Sequence, residues 1–337
     1  VSVALAALLW AGSAQAASLR ACDTPVDASA AQKDRLLRFA ALIRETLQAS
    51  GAELAVVSRS GLDLARFGVR TTHAGLALRQ GLDTPWAVRQ LYYACDEGRP
   101  RVFDQGLAGF VLGLDSPDVG LVSAVLLPAD ATEAVRRTAL DRRRALALLG
   151  GTYSANAYPF AERYQNCNQW VAELLAEAWQ GEAGHDAPAV DRVSQPGSTP
   201  VMPRVLQSRT DAGADDGART APSPDRAAAE ARGRAQAWLR RHGYQPAVFQ
   251  VAFPPIAWLS AAVPWLHHDD HPPEDVAAQR LAVSLPASIE SLVRLRVPGA
   301  QRVEFCHTRG RVVVRHGWEP IASGCVSEPG DTVLTLD

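Results

Sequence analysis

Apolar and polar positions alternate along the chain in two rhythms, one of helical spacing and one of period two. Ser29-Ala30-Ala31-Gln32 has the form of a capping box, and Leu36, Leu37, Ala40, Ile43 and Leu47 follow as an apolar stripe until Gly51. A helix is expected there. Residues 53–58 read as a strand, 58–70 as a polar, glycine-containing connection with one helical turn, and 73–78 as a second, buried strand. After a turn at 81–85, a third strand is expected at 86–94, with Trp86, Val88, Gln90, Tyr92 and Ala94 on one face. Residues 95–109 read as loop and 119–127 as a fourth strand. Asp130-Ala131-Thr132-Glu133 reads as a second capping box, opening a helix to about Leu149 that Gly150 and Gly151 end.

The next helix begins at a cysteine. In Tyr164-Gln165-Asn166-Cys167-Asn168-Gln169-Trp170, Asn166 is a competent N-cap, and Val171, Leu174, Leu175 and Ala178 recur at helical spacing. Residues 182–222 lack any apolar period and are rich in Ala, Gly, Asp, Ser, Thr and Pro, so they read as a disordered linker whose deletion is expected to leave folding intact. Helices are expected from Ser223 or Asp225 to Gly243, through 254–266 with a break at Pro264, and at 286–297. Residues 302–306 and 311–315 read as a hairpin, and 333–336 as a last strand.

Composition adds limits. The net charge of −2 gives no electrostatic case for nucleic acid, and 47% hydrophobic residues are enough for one large or two modest domains. Residues 1–16 read as the apolar region and small-residue cleavage site of a signal peptide, too short for a membrane span, without the usual basic start. The expected location is therefore periplasmic or secreted. Leu19-Arg20-Ala21-Cys22 is a poor lipoprotein box, because Arg20 interrupts it. In an exported chain five cysteines leave one over; Cys22 with Cys95 and Cys306 with Cys325 are plausible pairs, and Cys167 is then the odd thiol.

A thiol in the first turn of a helix meets unpaired amide N–H groups and the positive end of the dipole, which favour thiolate. Thiolate attacks carbonyl carbon, and His73 is the candidate base. The competing reading is a cysteine that merely packs, as buried cysteines commonly do. Tyr153, Tyr158 and Tyr164 could offer a hydroxyl to an oxyanion, as could the amide of Cys167. His267, His268, Asp270 and His271 are weak metal candidates, since neighbours on a loop rarely converge on one ion; no metal and no cofactor is expected.

The stretches "SRSGLDLARFGVRTTHAGLALR", "PWAVRQLYYACDEGRPRVFDQGL", "YSANAYPFAERYQNCNQWVAELL", "PWLHHDDHP" and "VEFCHTRGRVVVRHGWEPIASGC" resemble a secreted bacterial family, domain-of-unknown-function family 2145. More remotely, His-x-Gly on a strand followed by Asn-Cys-x-x-aromatic on a helix is similar to the permuted branch of the papain-like, NlpC-type superfamily that includes lecithin:retinol acyltransferase. That resemblance implies an α+β fold, with the cysteine helix packed on a small antiparallel sheet over 28–181. Residues 223–337 then form a smaller C-terminal α+β portion, or complete the same globule. It implies Cys167 as nucleophile, His73 as base and a third residue on the following strand; from their place beside the cysteine, Asn166 and Tyr164 are the candidates for the oxyanion or pocket. No acidic residue or histidine stands there, so Gln90, or failing that Arg89, is expected to take the place. The implied activity is hydrolysis or acyl transfer on a peptidoglycan peptide or a lipid-linked acyl group. The alternative is a non-catalytic envelope binding or assembly protein of the same fold.

Overall fold

The computed structural model describes residues 27–183, 224–250, 263 and 265–336. The expected signal peptide, Cys22, nearly all of the linker and most of the 254–266 helix lie outside the described residues. The first helix, α1 (Ala30–Ala49), starts at a reciprocal cap: Gln32 N donates to Ser29 Oγ, and Ser29 N donates to Gln32 Oε1. It buries Leu36, Phe39, Ala40, Ile43 and Leu47.

Eight strands form one antiparallel sheet in the order β10-β9-β8-β5-β1-β2-β3-β4. They are β1 (Leu54–Arg59), β2 (His73–Leu78), β3 (Ala87–Ala94), β4 (Arg99–Gln105), β5 (Val119–Leu126), β8 (Gln301–Thr308), β9 (Arg311–His316) and β10 (Thr332–Thr335). β6 (Ala247–Gln250) and β7 (Arg280–Val283) pair separately. The protein is thus a mixed α+β protein, but its sheet is not the small one expected. β8 pairs with β5, so the three C-terminal strands widen the sheet that the N-terminal strands begin.

Period-two alternation gives the sheet two buried faces. Ala55, Val57, Ala77, Val88, Val122, Val303 and Phe305 face α1 and α2 (Leu107–Leu112). Leu54, Val56, Ala74, Leu76, Leu91 and Val125 face α3 (Ala129–Leu140), α4 (Arg142–Ala147), α5 (Cys167–Ala183), α6 (Pro224–Arg241) and α8 (Pro286–Arg296). A short helix, α7 (Pro273–Ala277), precedes β7.

Three expectations are corrected. Residues 95–109 are not a loop but hold β4 and α2. β4 is an edge strand bearing Arg99, Pro100 and Arg101, residues that shield an open edge and erase the apolar alternation by which strands are read. The 130–149 helix is broken at Asp141, whose extended backbone ends α3 and whose Oδ1 accepts the amides of Arg143 and Arg144 to start α4. Its start is also displaced: Pro128 is the cap, and Asp130 lies in the first turn. Finally, Trp86 stands outside β3 with φ +60°, its indole donating to Gln48 Oε1 at 3.1 Å.

Cys306 and Cys325 are disulfide-bonded, with Cα atoms 5.4 Å apart, which closes the C-terminal hairpin onto the segment before β10. Cys95 is disulfide-bonded as well. Cys167 carries a thiol and is buried.

Candidate functional site

Cys167 is the first residue of α5, in a turn held by its neighbours on both sides. Asn166 Oδ1 accepts the amide of Gln169 at 2.7 Å, which is an N-cap, and Asn166 Nδ2 donates to Ala155 O and Ser284 O. Asn168 Nδ2 donates to Ser284 O at 3.1 Å and to Thr72 O at 2.9 Å. The second bond fastens the start of the cysteine helix to the residue before His73. Sequence reading assigned Asn168 nothing, although a second Asn beside the cysteine was there to be noticed.

His73 opens β2, and Nε2 lies 2.5 Å from Gln90 Oε1 on β3. An amide oxygen accepts, so Nε2 carries the proton and Nδ1 is the basic nitrogen. Gln90 is fully buried, and its Nε2 has no hydrogen-bond partner among the described residues. Arg89 projects to the other face, where it is held by Asp104 at 2.6 Å and donates to Ala139 O; it is not near His73.

Alternation also fixes where His73 points. His73, Gly75 and Ala77 share a face of β2, and the imidazole packs 6.0 Å from the Phe110 ring of α2, measured between centroids. Cys167 belongs to the opposite cluster, with Ala74, Leu76, Leu91 and Tyr153. The imidazole and the thiol thus lie toward opposite faces of the sheet, and the bond from Asn168 to Thr72 at the N-terminal end of β2 links the two segments that carry them.

Gly75 is needed for the His73–Gln90 pair. A Cβ there would stand 2.6 Å from Val88 Cγ1 and 3.2 Å from Gln90 Cβ. Gly75→Ala is expected to push β3 away, lowering stability by about 1–3 kcal/mol, and to shift the His73 imidazole resonances. Unchanged melting and unchanged resonances would refute this crowding.

Tyr164 stacks on His267, with ring centroids 4.3 Å apart, and burial together with nearby Asp269 raises its hydroxyl pKa. Asp270 and His271 stand 3.8 Å apart, Oδ1 to Nε2, and each has a backbone partner as well. His271 Nε2 donates to Asn156 O at 2.8 Å, and Asp270 Oδ2 accepts the amide of Tyr158 at 2.8 Å. Burial pushes the Asp270 carboxyl up. Among the described residues, no group of three or more His, Cys, Asp or Glu could hold a metal ion. Loop 265–271 thus braces the chain before Cys167: Ala155 N donates to Trp265 O, and His267 N to Ser154 Oγ.

A buried ion pair that sequence reading missed underlies this region. Glu173 on α5 and Arg232 on α6 meet at 3.0 Å with side chains 0% and 1% exposed. Arg232 also donates to the carbonyls of Ala161, Glu162 and Tyr164. The signal was present: Arg232 shares its helical stripe with Ala235 and Leu239, both buried.

The family model described as "Uncharacterized protein conserved in bacteria (DUF2145)" matches residues 46–196 and 215–293. The chain belongs to this bacterial family. The matched residues include Cys167, His73, Gln90 and Asn168. No curated protein and no solved structure matches the chain. Among the described residues, no helix is long and apolar enough to cross a membrane.

Proposed function

We propose that the chain is a thiol hydrolase or acyltransferase of the bacterial cell envelope, built on a permuted papain-like core. Cys167 is its nucleophile and His73 its base. The observation that carries this reading is the bond from Asn168, next to the cysteine, to Thr72 O, next to the histidine. It ties the start of the cysteine helix to the residue before the histidine strand, while Gln90 bonds one ring nitrogen of His73. In this reading His73 Nδ1 takes the thiol proton and the thiolate attacks the carbonyl carbon of an amide or ester. The amine or alcohol leaves with the proton from His73, and the acyl group passes from Cys167 to water or another acceptor. In this reading the amide of Cys167 donates to the oxyanion, with Asn166 capping the turn that presents it. Gln90 is neutral and stabilises an imidazolium less than a carboxylate does, so activation of the thiol is modest. A disulfide such as Cys306–Cys325 suits an oxidising location such as the periplasm. Peptidoglycan peptides and lipid-linked acyl groups are the substrate classes proposed.

The test is the pH dependence of iodoacetamide labelling at Cys167, read by mass spectrometry on the folded protein. The wild type should label at neutral pH with an inflection below the ordinary thiol value of about 8.5. His73→Ala should slow labelling at pH 7 by about tenfold or more, and Gln90→Ala by less. Acyl release from activated esters should vanish in Cys167→Ala. Labelling that ignores His73 sinks the proposal.

A second reading, a non-catalytic envelope binding or assembly protein, is favoured by the burial of Cys167 in the cluster on one sheet face while the His73 ring packs by Phe110 on the other. It expects Cys167 to label only on unfolding.

A further inference from the structure

We propose that a cavity between α4, α5 and α6 is a binding site for a phosphate group, separate from the thiol. The cavity is an open groove of about 260 Å³, lined by exposed Arg143 and Arg144 of α4, half-buried Glu177 of α5 and exposed Arg234 of α6, over a floor that includes Leu148 and Ala231. Glu177 is ten positions beyond Cys167 on α5, which is about 15 Å along a helix.

Charge is what sets this cavity apart. Three guanidinium groups and one carboxylate line it, an excess of two positive charges in a chain whose net charge is −2. Arg143, Arg234 and Glu177 have no ion-pair partner among the described residues, and the nearest carboxylate to Arg144 is Asp141 at 3.8 Å. Among the described residues, Arg143 and Arg234 therefore line one concavity without an acidic partner, Arg144 has only the more distant Asp141, and Glu177 lies beyond ion-pairing distance of all three. By contrast, Arg70 and Arg302 converge on a shared acid, Glu304, at 2.8 and 2.6 Å.

The ligand class follows from the donors. A guanidinium presents a planar fork that suits oxyanions, and three of them can share the three terminal oxygens of a phosphate monoester. A carboxylate has two oxygens and a single charge, which answers fewer of these donors. The apolar floor suits a short carbon chain attached to the phosphate. A soluble phosphate ester and a lipid headgroup share this chemistry. Glu177 repels the ligand, so its charge gives the proposal an effect of opposite sign.

The experiment is isothermal titration of the full chain with inorganic phosphate and with hexyl phosphate. It is paired with co-sedimentation on phosphatidylcholine vesicles with and without phosphatidic acid. Hexyl phosphate should bind saturably and more tightly than inorganic phosphate. Arg143→Gln and Arg234→Gln should each raise its Kd by about tenfold or more, and Glu177→Gln should lower it several-fold. Arg136→Gln, which removes a charge already paired with Glu133 at 2.9 Å, should leave it unchanged. Equal melting temperatures of the ligand-free variants separate lost binding from lost fold. Binding of hexyl phosphate without sedimentation identifies a soluble ester; binding of both, with the same variant pattern, identifies a headgroup. No saturable binding of either phosphate below about 10 mM, a Kd indifferent to Arg143 and Arg234, or sedimentation without soluble binding would each overturn the site.

Discussion

Glu173→Ala should lower the unfolding free energy by about 3–5 kcal/mol, the cost of leaving a buried charge without its partner. The carboxylate is fully buried and accepts from Gln165 at 2.6 Å, from Gln236 at 2.7 Å and from Arg232 at 3.0 Å. Without it Arg232 stays in the interior, still tied to the carbonyls of Ala161, Glu162 and Tyr164 but uncompensated. Arg232→Ala should cost a similar amount and also strip those three carbonyls of a donor. The damage should spread to the segment before Cys167, because this arginine, with Gln169, Gln236 and Arg240, holds its carbonyls against α5 and α6. Urea unfolding of both single variants and of Glu173→Leu/Arg232→Met is the measurement. The double variant should lose less than the sum of the single losses, since it removes the stranded charge along with its partner. Additive losses would show that the two side chains stabilise the fold independently.

Acidification should remove about 3 kcal/mol of stability through His307 alone. His307 follows Val303 and Phe305 on the α1 face of β8, 1% exposed, and its ring lies 4.7 Å from that of Phe39. Neither ring nitrogen has a hydrogen-bond partner among the described residues. A Cβ on Gly120 would stand 2.8 Å from Nε2, so the ring is closed in from the strand beside it. Burial lowers its pKa from 6.5 to about 4; Asp118 pulls it up and Arg35 pushes it further down. In the unfolded chain the imidazole takes up its proton near 6.5, and in the fold only near 4. Between those values the unfolded state binds more protons. Stability is therefore whole above about pH 6.5 and falls as the pH drops towards 4. His307→Phe removes the group and should flatten this part of the profile relative to the wild type. Parallel urea-midpoint curves for the two proteins between pH 7.5 and 4 would rule His307 out as the cause.

Local signals carried much of the fold. The cap at Ser29, the stripe of α1, the bounds of β2 and the C-terminal hairpin are written in neighbouring residues, because capping and alternation act over a few positions. Where an element sits at a sheet edge, that signal fails: β4 faces solvent with Arg99 and Arg101, so its sequence looks like a loop. The break at Asp141 failed differently, since the same residue can continue a helix or cap a new one.

The candidate site divides in the same way. That Cys167 begins a helix, that Asn166 caps it and that Gln90 stands on the strand after His73 follow from the residues themselves, because each depends on a stretch shorter than a dozen residues. Other features join residues far apart in the chain, and no local pattern encodes those meetings. Asn168 reaches Thr72, Arg232 reaches Glu173, and β8 lies beside β5 so that one sheet spans both ends of the chain. Alternation could set His73 and Gln90 on given faces of their strands. Only the packing of α2 on one face and α5 on the other decided that the imidazole lies beside Phe110 and the thiol in the opposite cluster. Which helix covers which face is chosen by the burial of the whole core, a sum over both clusters that no short segment contains.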